Sequence, residues 1–162
     1  MAAPSATMEA MQVLSAAEMQ ACDRATTERF GVASIDLMRA ASAAVATLAR
    51  EQFPRARRVT VLCGLGNNGG DGMMAARLLA QAGLEVTTLL LGAPEKLAGD
   101  ALAAWGELLA SAEPGTVHVV ETAEALKGCD YALRADLLVD AVLGTGFKPP
   151  MKGLALAALK WV

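Results

Sequence analysis

The chain has 162 residues, 14 Lys+Arg against 17 Asp+Glu and a formal net charge of −3, which is about one domain's length of polypeptide. A net-acidic chain with no basic run lacks the electrostatic footprint of nucleic-acid or anionic-membrane binding. Its apolar stretches, such as Leu84–Leu91, fall far short of the roughly 18–20 residues of a spanning helix.

The first ten residues carry neither the basic n-region nor the apolar h-region of a secretory signal. Residues 1–12 read as a flexible leader ahead of one domain over 13–162, with the cytoplasm as the expected location. Ser15-Ala-Ala-Glu18 has capping-box spacing and predicts a helix from Ser15 to Arg29, which Gly31 breaks. Ser34 caps a second helix to Gln52, in which Leu37, Met38, Ala41, Val45 and Leu48 recur at helical spacing, and Pro54 ends it.

From there short apolar runs alternate with helical stretches, the pattern of βαβ units. Strands are expected at Arg58–Cys63, Glu85–Leu91, Thr116–Val120 and Ala135–Leu143, the last as a central strand covered on both faces. Helices are expected at Asp71–Gln81, Lys96–Ser111 and Glu121–Leu126, with a final helical stretch at Gly153–Val162. The predicted fold class is α/β: a three-layer α/β/α, Rossmann-like, mostly parallel sheet with two N-terminal helices. A doubly wound domain usually follows such a final helix with another strand, so a truncated C-terminus is expected; a four-strand domain with a C-terminal helix is the alternative.

The densest chemical signal is Gly64-Leu-Gly66-Asn67-Asn68-Gly69-Gly70-Asp71-Gly72, between the first strand and its helix. Its G-x-G-x-x-G spacing suits positive φ and close approach of a ligand, with the helix N–H groups facing a pyrophosphate or carboxylate. The three glycines alone also fit a dehydrogenase, or a plain strand-to-helix turn. Asn67, Asn68 and Asp71 go further and point to a polar ligand or a cation; Asp71 alone also fits an N-terminal acid favoured by the helix dipole. The second signal is Asp140, near the end of the fourth strand, followed by Gly144-Thr145-Gly146. A carboxylate in an apolar strand needs a partner, a cation or a function. In the strand order 3-2-1-4 the first and fourth strands are neighbours, so Asp140 and the 67–71 loop are expected to face one crevice and to offer hard oxygen ligands for a group I or II cation. His118 is the only histidine, and Cys22, Cys63 and Cys129 form no C-x-x-C pair, so zinc and disulfides are not expected.

Together, Gly64–Gly72 and Asp140-Ala-Val-Leu-Gly-Thr-Gly146 resemble the YjeF N-terminal domain family, the NAD(P)H-hydrate epimerases. Leu14-Ser-Ala-Ala-Glu-Met19 with Asp23, Leu37-Met38 and Gly99-Asp100-Ala101 extend the resemblance from about Val13 to Val162. It implies an isomerase of metabolite repair that interconverts the R and S forms of hydrated NADH and NADPH, which are its substrates rather than its cofactors. It places substrate binding at Asn67, Asn68, Gly69, Gly70 and Asp71 and at Gly144, Thr145, Gly146, Phe147, Lys148, Pro149 and Pro150. It places a potassium ion on Asn68 and Asp140, with Asp140 the acid–base group. It also implies a homodimer through the first two helices and, in many bacterial relatives, fusion to an ADP-dependent dehydratase. Two departures stand out: the family's Leu-Met-Glu-Asn-Ala-Gly is Leu37-Met38-Arg39-Ala40-Ala41-Ser42 here, and its later Asp-x-Pro-Ser-Gly segment has no counterpart. A non-catalytic binding module of the same fold is the alternative reading.

Overall fold

Successive residues of a strand face opposite sides of its sheet, and in β1 (Arg58–Cys63) both sides are buried: Val59, Val61 and Cys63 under one helical layer, Leu62 under the other. β1 accordingly runs inside the sheet, between β2 (Glu85–Leu91) and β4 (Leu137–Ala141), with β3 (Val117–Val120) beyond β2. The order is β3-β2-β1-β4 and every pair is parallel, with Val61 opposite both Thr88 and Val139. This is a computed structural model that describes residues 13–162; the leader expected over residues 1–12 lies outside them.

The helices form layers on both faces. On one lie α2 (Ser34–Gln52), α3 (Asn67–Gln81) and α4 (Gly99–Ser111), packed through Met38, Met73, Leu79, Trp105 and Leu108. On the other lie α5 (Ala123–Lys127), a 3₁₀ turn over Asp130–Arg134 and α6 (Gly153–Trp161), covering Leu62, Leu89 and Val120. Fully buried leucines such as Leu62, Leu79, Leu89 and Leu90 contribute about 1.5–3 kcal/mol each. The buried Thr60 hydroxyl donates to the Ala132 carbonyl at 2.7 Å, which ties the 3₁₀ turn to the sheet. Trp161 Nε1 donates to Asp130 at 2.8 Å and fastens α6 to the same turn.

α1 (Ala16–Phe30) buries none of its residues and is held as a helix by its own ends. Ser15 Oγ accepts from the Glu18 N–H at 3.3 Å and the Glu18 carboxylate accepts from the Ser15 N–H at 2.7 Å, the predicted capping box. Gly31, at φ 68°, ends the helix in the left-handed conformation that glycine tolerates best. In α2, Arg39 ion-pairs with Asp36 at 2.9 Å and with Glu107 of α4 at 2.8 Å; Arg77 of α3 reaches the same Glu107 at 3.2 Å, so one carboxylate links three helices.

Several boundaries differ from expectation for local reasons. α3 starts at Asn67, four residues before Asp71, because tertiary packing outweighs the low helix propensity of Asn and Gly. The helix expected over Lys96–Ser111 splits into a 3₁₀ turn at Pro94–Lys96 and α4, whose first residue, Gly99, has a left-handed φ of 55°. β4 is shorter than expected and pairs with β1 alone among the described strands, so it is an edge rather than a central strand. Asp136 marks its lower end, where the carboxylate accepts the N–H groups of Arg57 and Arg58, both at 2.9 Å.

Candidate active site

The carboxyl ends of β1 and β4 lie side by side where the winding of the sheet reverses, the position at which doubly wound sheets hold ligands. An open cleft of about 970 Å³ occupies it. Its walls are residues 65–68 with Asp71, the 142–147 loop, the α2 residues Ser34, Leu37, Met38 and Ala41, Asp100 at the start of α4, and one face of α1.

Sterics between backbones build the central wall. None of the glycines between 64 and 72 has a positive φ, contrary to the expectation from their spacing. A Cβ on Gly64 would overlap the Val142 carbonyl, one on Gly69 the Gly64 carbonyl, and one on Gly72 the Ala141 side chain. A Cβ on Gly70 would stand 2.7 Å from Met38 Cε and 3.2 Å from Ala101 Cα. These four glycines let α3 rest directly on the ends of β1 and β4 and against α2 and α4. Gly66 is different, for a Cβ there would meet nothing within 4 Å.

Asn67, Asn68 and Asp71 line the cleft, as do Gly144, Thr145, Gly146 and Phe147 on the facing loop. Gly69 and Gly70 are buried behind that wall, and Lys148, Pro149 and Pro150 continue the loop, exposed, past its edge. Asn68 Nδ2 donates to the Leu143 carbonyl at 3.1 Å. Asp140 Oδ1 accepts from the Val142 N–H at 2.9 Å. Two polar residues selected from the sequence thus hydrogen-bond to adjacent residues, Leu143 and Val142, of one turn.

Asp140 departs from expectation in two respects. It is exposed rather than buried, because β4 is an edge strand, and it lines a small cavity of about 80 Å³ between β4 and α6 instead of the cleft. Val142 and Leu143 border both spaces, so only that turn separates Asp140 from the cleft.

Asp71 sits in the second turn of α3, too far along the helix for the N-terminal dipole to be its reason for being there. Half-buried, its carboxyl is pushed up to about 6, first by burial and then by the negative charge of Asp23 on α1. α1 presents Met19, Gln20, Asp23, Arg24, Thr27 and Glu28 to the cleft. Sequence reasoning assigned no site role to these residues or to Asp100. The signal was available in the paired spacing 19/20, 23/24 and 27/28, which is one face of a helix.

For a cation, the observed hydrogen bonds leave Asn68 Oδ1 and the second carboxylate oxygen of Asp140 without partners among the described residues. Amide, carboxylate and carbonyl oxygens are the hard donor set of a group I or II cation, with Asn68 on the cleft and Asp140 on the small cavity behind the turn. Among the described residues no three His, Cys, Asp or Glu side chains gather as a metal site.

Residues 34–162 match the YjeF-related protein N-terminus family. The chain belongs to that family. Among its YjeF-related relatives, the bifunctional NAD(P)H-hydrate repair enzyme Nnr of Salinibacter ruber is 37% identical over 158 residues, covering 93% of this chain and 29% of the relative. The NAD(P)H-hydrate epimerase of Limosilactobacillus fermentum is 35% identical over 154 residues, covering 93% of this chain and 68% of the relative. The chain thus spans under a third of the bifunctional relative and about two thirds of the single-function one. The crystal structure of yeast ynu0, YNL200c, superposes with a TM-score of 0.80 at 24% identity, covering 93% of this chain and 64% of that one, and has the same fold.

Proposed function

We propose that this YjeF-related domain, spanning residues 13–162, epimerises the R and S forms of hydrated NADH and NADPH. The observation that carries the reading is the cleft at the ends of β1 and β4, where Asn67, Asn68 and Asp71 stand across from Gly144–Phe147 and Asn68 is locked to the Leu143 carbonyl. The names of relatives matched over 93% of the chain support it. The substrate stretches are Asn67–Asp71 and Gly144–Pro150, with Gly69 and Gly70 acting as packing behind the contact surface.

Epimerisation at a carbon bearing nitrogen and hydroxyl proceeds by loss and re-addition of that hydroxyl. A carboxyl protonates it, the C–O bond breaks with the ring nitrogen lone pair supplying electrons, and water returns on the other face while a carboxylate takes back the proton. No net redox change occurs. Asp71, which lines the cleft and whose elevated carboxyl retains a proton fraction near neutral pH, carries proton transfer in this reading, and Asp140 joins it where the Val142–Leu143 turn that separates it from the cleft gives way. Asn68 and Asp140 would hold a potassium ion through the oxygens their hydrogen bonds leave free, and the ion would supply positive charge beside the 142–147 loop. The free N–H groups at the start of α3 favour the anionic part of the substrate.

A homodimer through α1 and α2 belongs to the reading, supported by Phe30 of α1 and Leu48 of α2, which are 77% and 57% exposed. So does cytoplasmic residence; among the described residues no helix is long and apolar enough to cross a membrane. An ADP-dependent dehydratase, fused or separate, would consume the S form. The test is to incubate R-hydrated NADH with the purified chain and resolve the epimers chromatographically, with and without potassium. Potassium-dependent appearance of the S form is expected, and a folded chain that leaves the R form untouched refutes the reading.

A further inference from the structure

A helix in a globular domain is normally held by an apolar stripe buried against its neighbours. α1 has no such stripe: none of its residues is buried, and the side that borders the cleft is polar apart from Met19. That side of α1 looks into open space rather than onto a packed partner, so a ligand in the cleft would supply contacts that the fold does not.

The charges around that space are unequal. Four carboxyls line it, from Asp23 and Glu28 on α1, Asp71 on α3 and Asp100 on α4, against a single basic side chain among the described residues, Arg24 of α1. A field of that sign opposes the entry of an anion such as a pyrophosphate, so any cation on the wall matters. Arg39 and Arg77, on α2 and α3, are already engaged by Glu107, and Arg39 by Asp36 as well. Arg24 is exposed and forms no ion pair among the described residues, although Asp23 precedes it and Glu28 lies one helical turn further on. The cleft thus has one uncommitted guanidinium, the planar fork of donors that matches phosphate oxygens two at a time.

We propose that Arg24 is a substrate-contact residue: its guanidinium takes phosphate oxygens of the hydrated nucleotide, and the pairing draws α1 onto the ligand, which then lies between α1 and the start of α3. The proposal rests on the hydrated-nucleotide reading of the cleft. It adds to that reading the cation that offsets the surrounding carboxyls and the helix that closes on the bound molecule.

The test compares wild type with Arg24→Gln and with Arg29→Gln, using the full chain. Arg29 is the control, an exposed arginine in the last turn of the same helix that does not line the cleft and whose replacement removes the same charge. Thermal midpoints, calorimetric binding of R- and S-hydrated NADH, and hydrogen exchange of the α1 amides with and without ligand are measured for each. Arg24→Gln is expected to keep the wild-type midpoint, to bind about tenfold or more weakly, and to lose the slowing of α1 exchange that ligand produces in wild type. Arg29→Gln is expected to bind as wild type does. Added NaCl at constant potassium should weaken binding more in wild type than in Arg24→Gln, since the charge that salt screens is gone from the variant. Wild-type affinity in Arg24→Gln overturns the proposal and leaves the reading of the cleft standing, as does an equal loss of affinity in Arg29→Gln or α1 exchange in wild type that ignores the ligand. An Arg24→Gln chain that melts well below wild type also overturns it, because the side chain then serves the fold. A wild-type chain that binds neither epimer overturns the reading of the cleft and this inference with it, before any variant is compared.

Discussion

Replacing Gly69 by alanine tests whether the glycine motif is a packing device. The added methyl would overlap the Gly64 carbonyl oxygen, with the carbonyl carbon 2.6 Å and the Gly64 nitrogen 2.9 Å away. All three atoms belong to the backbone of one residue at the end of β1, so no side-chain rotation relieves the clash and α3 must lift from the strand. Overpacking of this kind costs about 1–3 kcal/mol and sometimes more, and the rigid neighbour places Gly69 at the upper end. Alanine returns at most about 1 kcal/mol through helix propensity and a less free unfolded chain. The balance is a loss of about 2 kcal/mol, or a thermal midpoint lower by about 4–8 °C for a domain of this size. Urea denaturation followed by circular dichroism, with a thermal scan, measures both. A Gly69→Ala chain as stable as wild type would show that α3 does not need to sit on β1 at this distance and would refute the packing account.

Three further outcomes are expected. Asp71 has a carboxyl raised from 3.8 to about 6 in the folded chain, so its contribution to stability is fully present below pH 3.8 and is lost as pH rises through about 6. Asp71→Asn should therefore gain stability relative to wild type at pH 7 but not at pH 3.5; parallel pH–stability curves would contradict this. Glu107→Ala removes the acceptor shared by Arg39 and Arg77, whose Nε is buried without a partner among the described residues, and should lower stability more than Asp36→Ala, which breaks an exposed pair and removes the first-turn acid of α2, in the same denaturation assay; equal losses would contradict this. Asn68→Ala frees the Leu143 carbonyl and should lower epimerisation about 10²-fold or more while stability falls by only about 1 kcal/mol; unchanged turnover would remove Asn68 from the site.

Much of the architecture was legible because hydrophobic pattern and strand order are linked. The alternation of short apolar runs with helices predicts the parallel sheet, and the order 3-2-1-4 predicts that β1 and β4 meet. The start of α3 is misplaced because Asn and Gly read locally as a loop, while the packing that makes them helical involves Met38, Ala101 and Ala141, all distant in sequence. The motif's glycines were visible but their reason was not, since spacing cannot distinguish a left-handed φ from a missing Cβ. Asp140 was found by its charge within an apolar run, and its exposure on an edge strand followed from pairings that such a run does not specify. Asp23 stands out in the sequence only as part of the family resemblance and Arg24 not at all; the placement of α1 beside the cleft turns that face into a wall.

The central claim is isomerisation without net oxidation, and it is tested most directly by approaching equilibrium from both sides. Pure R-hydrated and pure S-hydrated NADH are each incubated with the chain and potassium, and the two epimers and oxidised nucleotide are quantified over time. The account predicts that both samples reach the same R/S mixture faster than an enzyme-free control, with no oxidised nucleotide formed. Two samples that keep their starting epimer at the uncatalysed rate, or conversion accompanied by oxidation, would contradict it.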